Sequence, residues 1–316
     1  LISKKQPEKT REELIARFRQ VIAVPVPLPG AGNTAERHHR LFEVAREDLS
    51  LARLVEAHWD AHAILAEAGH SIVEGALYGV WAAEAPDKLL RIEASAVSGS
   101  KPFCSGAGIL DHALVTVKSP APLLIDIDLK QSADTLHFDS AAWKTTAFAE
   151  TNTSMATFDA VAIEPTDIVG EEDFYLRRTG FWHGACGPAA CWAGGAAGLL
   201  DWAIKQKRDD PHTLAHLGAM KAAVWTMESS LQVAGQQIDA TWQDLDAARA
   251  RALILRHTVE QSCTDILRRL ARAYGPHPLA MDEAISKRYQ ELDLYVRQSH
   301  AERDLAALGE VVHRQG

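Results

Sequence analysis

The stretch Gly99-Ser-Lys-Pro-Phe-Cys-Ser-Gly-Ala-Gly108 decides how this chain is read. It lies between two strand-like segments, 89–95 and 113–117, and sets an aromatic residue two positions from a hydroxyl. Glycine and serine between strands mark turns: glycine reaches positive φ without a Cβ clash, and serine bonds nearby backbone. The same residues suit a flat ring with polar edges. Phe103 would cover a face of such a ring and Ser105 would hydrogen-bond its edge.

Outward from this stretch the hydrophobic period changes twice. Segments 89–95, 113–117, 123–129, 135–138 and 156–163 are short, alternating or continuously apolar, and punctuated by Gly, Pro, Ser and Asp. This pattern predicts an antiparallel sheet within 76–172, closed as a small barrel or sandwich. Upstream, 10–21 reads as a short amphipathic helix, and Pro25, Pro27 and Pro29 with Gly30 and Gly32 make a loop. Thr34 then precedes one long helix. Its apolar residues Phe42, Ala45, Leu49, Ala52, Val55 and Trp59 recur at spacings of three and four, and Gly69 suits its end.

Beyond residue 173 the helical period returns. Residues 186–205 are rich in Ala and Gly, and Asp210-Pro211 places a capping carboxylate before a first-turn proline. One stripe runs Met220, Val224, Met227, Leu231, Ala234, Ile238, Trp242, Leu245; a second runs Ala252, Leu255, Val259, Cys263, Ile266, Leu270. Gly275-Pro-His-Pro278 ends the second, and a last helix is expected over 282–308. Helices of this length form antiparallel bundles. The expected fold is α+β in three domains: N-terminal helices (1–75), a barrel-like β-domain (76–172) and a C-terminal helical bundle (173–316).

Composition narrows the partners. With 316 residues and 47% apolar content the chain can bury a large core. Its net charge of −9 argues against nucleic acid or an anionic membrane as partner. The short basic run Arg268, Arg269, Arg272 reads as a solvated helix face. The four cysteines, Cys104, Cys186, Cys191 and Cys263, form no CxxC pair, and no zinc-type spacing occurs, so no metal is expected. Sparse cysteines and the lack of an apolar run of membrane length or a signal peptide point to a reducing cytoplasm.

Three further stretches carry a likeness to a known family. They are Tyr78-Gly-Val-Trp-Ala-Ala-Glu-Ala-Pro86, the run from Trp143 through Ser154-Met155-Ala-Thr-Phe158-Asp-Ala-Val161, and 180–202. With Gly99–Gly108, in this order, they resemble the acyl-CoA dehydrogenases over roughly residues 36–309. Phe103 stands for that family's usual Trp, and Ser105 for its usual Thr. The resemblance implies FAD, with Val80, Trp81 and Ala82 toward the pyrimidine side of the ring. It sets Phe103, Cys104 and Ser105 at the reactive edge, with the Ser105 hydroxyl near N5. It further implies an acyl-CoA-like substrate, a homodimer or homotetramer packed through Trp192, Trp202 and the Ala/Gly ridge, and an electron-transfer partner.

Departures from the family open other readings. The family removes an α-proton with Glu; here His300-Ala-Glu-Arg-Asp304 resembles the segment before that base, and Glu310 is the nearest carboxylate to the implied position. No Glu stands near His183-Gly184, where some members carry it. Lys205-Gln-Lys-Arg-Asp-Asp-Pro211 lacks the Arg and Phe-Gly that touch FAD across the dimer, and 274–278 replaces a glycine pair associated with the FAD pyrophosphate. Flavin monooxygenases on the same fold use His, Ser and Asn in place of Glu, which makes His183 and His300 candidates. A non-catalytic homologue acting in binding or assembly is the third reading.

Overall fold

The computed structural model describes residues 8–85, 89–118 and 120–315. Pro86, which closes the Tyr78 motif, and the first seven residues lie outside the described residues. The first helices are α1 (Glu8–Ile22), α2 (Thr34–Glu47) and α3 (Leu49–Ala68). The strands are β1 (Tyr78–Trp81), β2 (Arg91–Glu93), β3 (Ala96–Cys104), β4 (His112–Val117), β5 (Leu123–Asp128), β6 (Leu136–Asp139) and β7 (Ser154–Ala162). Next come α4 (Phe174–Arg177), α5 (Gly180–Gly184), α6 (Cys186–Lys205), α7 (Pro211–Ala240) and α8 (Leu245–Tyr274). Last are α9 (His277–Met281), α10 (Glu283–Tyr295) and α11 (Glu302–Gln315). The chain is α+β, with helices before and after the strands as the sequence pattern indicates. It divides into two compact units, one drawn from Leu1–Pro25 and Leu54–Phe181, the other from Val26–Arg53 and Trp182–Gly316.

In the first unit the described strands form two sheets, ordered β1-β4-β5 and β2-β3-β7-β6. The antiparallel expectation needs one correction: β1 pairs parallel with β4, Tyr78 opposite His112 and Trp81 opposite Val115. The apolar core of α3 (Ala61, Ile64, Leu65) packs with Tyr78, Leu114 and Leu124 of the first sheet. The strand expected at 89–95 is shorter, because Ala94 and Ser95 take positive φ (49° and 61°) and turn β2 back into β3. The deciding stretch is itself half strand: β3 runs to Cys104, and only the residues beyond it turn. Gly99 reads as a turn residue but serves close approach. At φ +125° a Cβ there would lie 2.3 Å from the Leu89 carbonyl oxygen.

In the second unit α6 packs against α2, α7, α8 and α10. A Cβ on Gly194 would stand 2.1 Å from the Phe42 oxygen, so glycine lets the α2 backbone lie directly on α6. This corrects the expected oligomer face: the Ala/Gly ridge is buried within the chain, and Trp192 is 0% exposed. The single helix expected after Thr34 is two helices. Asp48 takes extended backbone and its Oδ1 accepts from the Leu51 N–H at 3.0 Å, starting α3. Arg288 donates to the Ala45 and Glu47 carbonyls at 3.1 and 2.6 Å, satisfying the groups left over at the end of α2. Apolar spacing continues across this break, so periodicity alone does not reveal it.

Asp210 caps α7 as expected, accepting from the Thr213 N–H at 2.9 Å. The first stripe stops earlier than expected, since α7 ends at Ala240 and leaves Trp242 and Leu245 exposed. The last expected helix is split. Ala301 takes φ 47° and Asp304 Oδ2 accepts from the His300 N–H at 3.0 Å, so His300 precedes α11. Among the described residues no helix is long and apolar enough to cross a membrane.

Gly99→Ala is expected to lower stability by about 1–3 kcal/mol, since it adds both strain and a clash. Gly218→Ala on exposed α7, where no atom meets the added Cβ, is expected to raise it by about 0.5–1 kcal/mol. Urea unfolding midpoints of the two variants check the opposite signs.

Candidate functional site

The residues after β3 form a turn fastened from three sides, all within the first unit. Trp81 of β1 donates its Nε1–H to the Ser105 carbonyl at 2.9 Å. The Gly106 N–H donates to the Thr151 carbonyl at 2.7 Å, and Asn152 Nδ2 to the Ala107 carbonyl at 2.6 Å. Gly106 accepts from Ile109 and Leu110 at 2.8 and 3.0 Å, closing the turn. Its φ of +80°, with Leu110 Cγ 2.6 Å from where a Cβ would stand, admits only glycine. Phe103, Phe148 and Asn152 also hold positive φ (60°, 58° and 46°), so three strained non-glycine residues surround this turn.

Hydroxyls line its inner side. Ser105 Oγ is 2.9 Å from Thr153 Oγ1, Thr153 Oγ1 is 2.9 Å from Thr151 Oγ1, and Thr151 donates to the Phe148 carbonyl at 2.9 Å. Aromatic rings stand outside. Phe103 is 57% exposed and meets Trp143 edge to face at 6.2 Å. Trp143 is pinned by its Nε1–H on the Ala147 carbonyl at 2.8 Å.

A buried lysine lies under the strand, paired with a half-buried glutamate. Lys101, 1% exposed, reaches Glu84 Oε1 at 3.1 Å and the Thr116 carbonyl at 2.9 Å. Thr116 Oγ1 donates to the same Glu84 oxygen at 2.8 Å. Burial pulls the Lys101 ammonium below its ordinary pKa, and Glu84 opposes that shift. The pair joins β3, β4 and the segment after β1. Cys104 is fully buried, and burial pushes its thiol up to about 12, so it is no nucleophile at neutral pH.

A second polar layer fixes β1. The Tyr78 N–H donates to His58 Nδ1 at 3.1 Å, and the Tyr78 ring stacks on His112 at 5.0 Å. His112 Nδ1 lies 2.9 Å from Asp126 Oδ1, and this hydrogen bond raises the imidazole pKa against the effect of burial.

Sequence candidates fall in both units. Val80, Ala82 and Ser105 are half-buried and Phe103 is exposed; Trp81 and Cys104 turn their side chains inward and offer only backbone. Glu310 lies in the second unit, exposed on α11. His183 and His300 are also in that unit. The first is 3% exposed with Nε2 2.8 Å from the Trp242 carbonyl; the second is exposed, with Nδ1 3.3 Å from Asp304 Oδ1. The sequence pattern alone does not single out Thr151, Thr153, Lys101, Glu84 or Thr116. A lysine inside a strand and the polar run Thr151-Asn-Thr153 just before one are the signals that mark them.

No sequence-family model matches the chain. No curated relative is detectable from its sequence. Solved structures do share its fold. FMN-bound TdsC from Paenibacillus sp. A11-2, a dibenzothiophene monooxygenase, aligns over 98% of this chain and 97% of that one, with a TM-score of 0.77 and 15% identity. Methanesulfinate monooxygenase MsuC from Pseudomonas fluorescens aligns over 98% and 97%, with a TM-score of 0.74 and 17% identity. Butyryl-CoA dehydrogenase from Megasphaera elsdenii aligns over 97% and 90%, with a TM-score of 0.76 and 13% identity. The chain has the acyl-CoA dehydrogenase-like fold.

The donor set suits a flavin ring. Phe103 and Trp143 offer apolar faces, Ser105 offers a hydroxyl, and β1 is an edge strand whose backbone groups can meet a pyrimidine edge.

His112 supplies a pH test of this support. Its folded pKa is raised, so the stabilisation is complete below the unfolded value near 6.5 and is lost as pH climbs through the folded value. His112→Gln is therefore expected to lower the melting temperature by roughly 2–4 °C more at pH 5.5 than at pH 9. Thermal scans at the two pH values check this.

Proposed function

We propose that this chain is a flavin-dependent oxidoreductase and that it works as a monooxygenase. The observation that carries this reading is the chemistry around Ser105, which is hydroxyl and aromatic. Glu84, the carboxylate beneath β3, is already engaged, paired with Lys101 and accepting from Thr116. Removing an α-proton from an acyl thioester needs a carboxylate poised at the substrate and shielded from water. Glu84 is engaged and Glu310 is exposed. A bound flavin supplies the redox chemistry, exchanging two electrons and, when reduced, reacting with oxygen. The chain's part is to cover the ring with Phe103, hold its edge at Val80, Ala82 and Ser105, and exclude water.

The flavin proposed is FMN rather than FAD. In the family resemblance the FAD pyrophosphate side falls to 206–211 and 274–278. Here Pro276 and Pro278 remove backbone donors, and Asp209 and Asp210 offset the positive charge of Lys207 and Arg208. A flavin reductase, as electron donor, is the implied partner, and the substrate is a small organic molecule. Self-association as a dimer or tetramer and the three-part division at residues 75 and 172 belong to the same proposal.

An anaerobic mixing experiment separates the readings. With FMN bound, no bleaching is expected with acyl-CoAs of any chain length. Once the flavin is reduced chemically, its reoxidation by oxygen is expected to run at a rate distinct from that of free reduced FMN, which consumes oxygen unaided. Bleaching by an acyl-CoA that Glu310→Gln abolishes would instead establish the dehydrogenase. Absence of both effects would leave the non-catalytic homologue.

A further inference from the structure

The hydroxyls of Ser105, Thr153 and Thr151 have a forced order of protons. Thr151 Oγ1 lies 2.9 Å from the Phe148 carbonyl, which can only accept, so the Thr151 proton is spent there. Each hydroxyl has one proton. The 2.9 Å contact between Thr151 and Thr153 must therefore be donated by Thr153, and the 2.9 Å contact between Thr153 and Ser105 must be donated by Ser105. The opposite order would set two oxygen lone pairs against each other at 2.9 Å in a buried site, where Thr151 is 0% and Thr153 2% exposed. The Ser105 proton thus points into the protein. Whatever else its oxygen meets, it meets as an acceptor.

We infer that Thr151 and Thr153 are positioning residues that orient Ser105 as a hydrogen-bond acceptor, so that the site prefers a ligand presenting an N–H to one presenting a bare nitrogen. This rests on the flavin reading above. The central N5 of an oxidised flavin is an acceptor, and in the reduced ring it carries hydrogen. An accepting Ser105 favours the reduced ring and disfavours the oxidised one.

The test is the ratio of affinities for reduced and oxidised FMN, measured anaerobically by titration and cross-checked by the potential of the bound flavin. One neutral hydrogen bond turned from attractive to repulsive is worth roughly tenfold in that ratio, or about 30 mV for a two-electron couple. Thr153→Val removes the acceptor of the Ser105 proton and is expected to lower the ratio about tenfold. Thr153→Ser keeps the chain of hydroxyls and is expected to retain the wild-type ratio. Thr151→Val, two hydroxyls away from the ligand, lets Thr153 turn its proton to Ser105 and is expected to lower the ratio as well. It also serves if Thr153→Val does not fold. An unchanged ratio in the valine variants, with FMN still bound, overturns this inference and leaves the functional reading standing. A wild-type protein that takes up neither form of FMN overturns both.

Discussion

The fastening of the Ser105–Leu110 turn onto residues 148–153 is the constraint on which the candidate site depends. Buried polar donors must find partners, and here the Gly106 backbone N–H and the Asn152 side-chain amide find theirs across the two segments. Each such bond contributes about 1 kcal/mol. Together with the Trp81 indole on Ser105 they hold Phe103, Phe148 and Asn152 in left-handed conformations. Backbone strain of this kind costs of order 1–3 kcal/mol per residue. Three instances around one turn mark it as a place where geometry is maintained against a local preference for relaxation.

The Lys101–Glu84–Thr116 cluster serves the same end from below. A buried ammonium needs a partner, and Glu84 stands on the segment after β1, so the requirement of one charge ties two strands and a loop together. Breaking such a pair is costlier than never having had it, because the surviving charge is left dry. The second unit solves its own problem differently. Glycines on α6 let α2 pack at backbone distance, and Arg288 closes the carbonyls that the break at Asp48 exposes.

Much of this architecture is legible in the sequence. The change from helical to strand period and back, the Asp210 cap and the stop at Gly275 are local signals, and the structure follows them. The breaks at Asp48 and His300 are not legible from periodicity, because apolar spacing runs on through them. β1 is not legible as a strand, since four residues are too few to show alternation and its partner β4 is more than thirty residues away. Half of the site is visible as Phe103 and Ser105. The other half is not: Thr151 and Thr153 look like ordinary loop polar residues until the fold places them behind Ser105.

The most direct measurement is a titration of the purified protein with FMN, followed by visible absorption and by quenching of flavin fluorescence. Saturable binding near one flavin per chain, weakened by Phe103→Ala and Ser105→Ala, is the expected result. A wild-type protein that neither perturbs the FMN spectrum nor quenches its fluorescence would contradict the assignment of this turn as a flavin site.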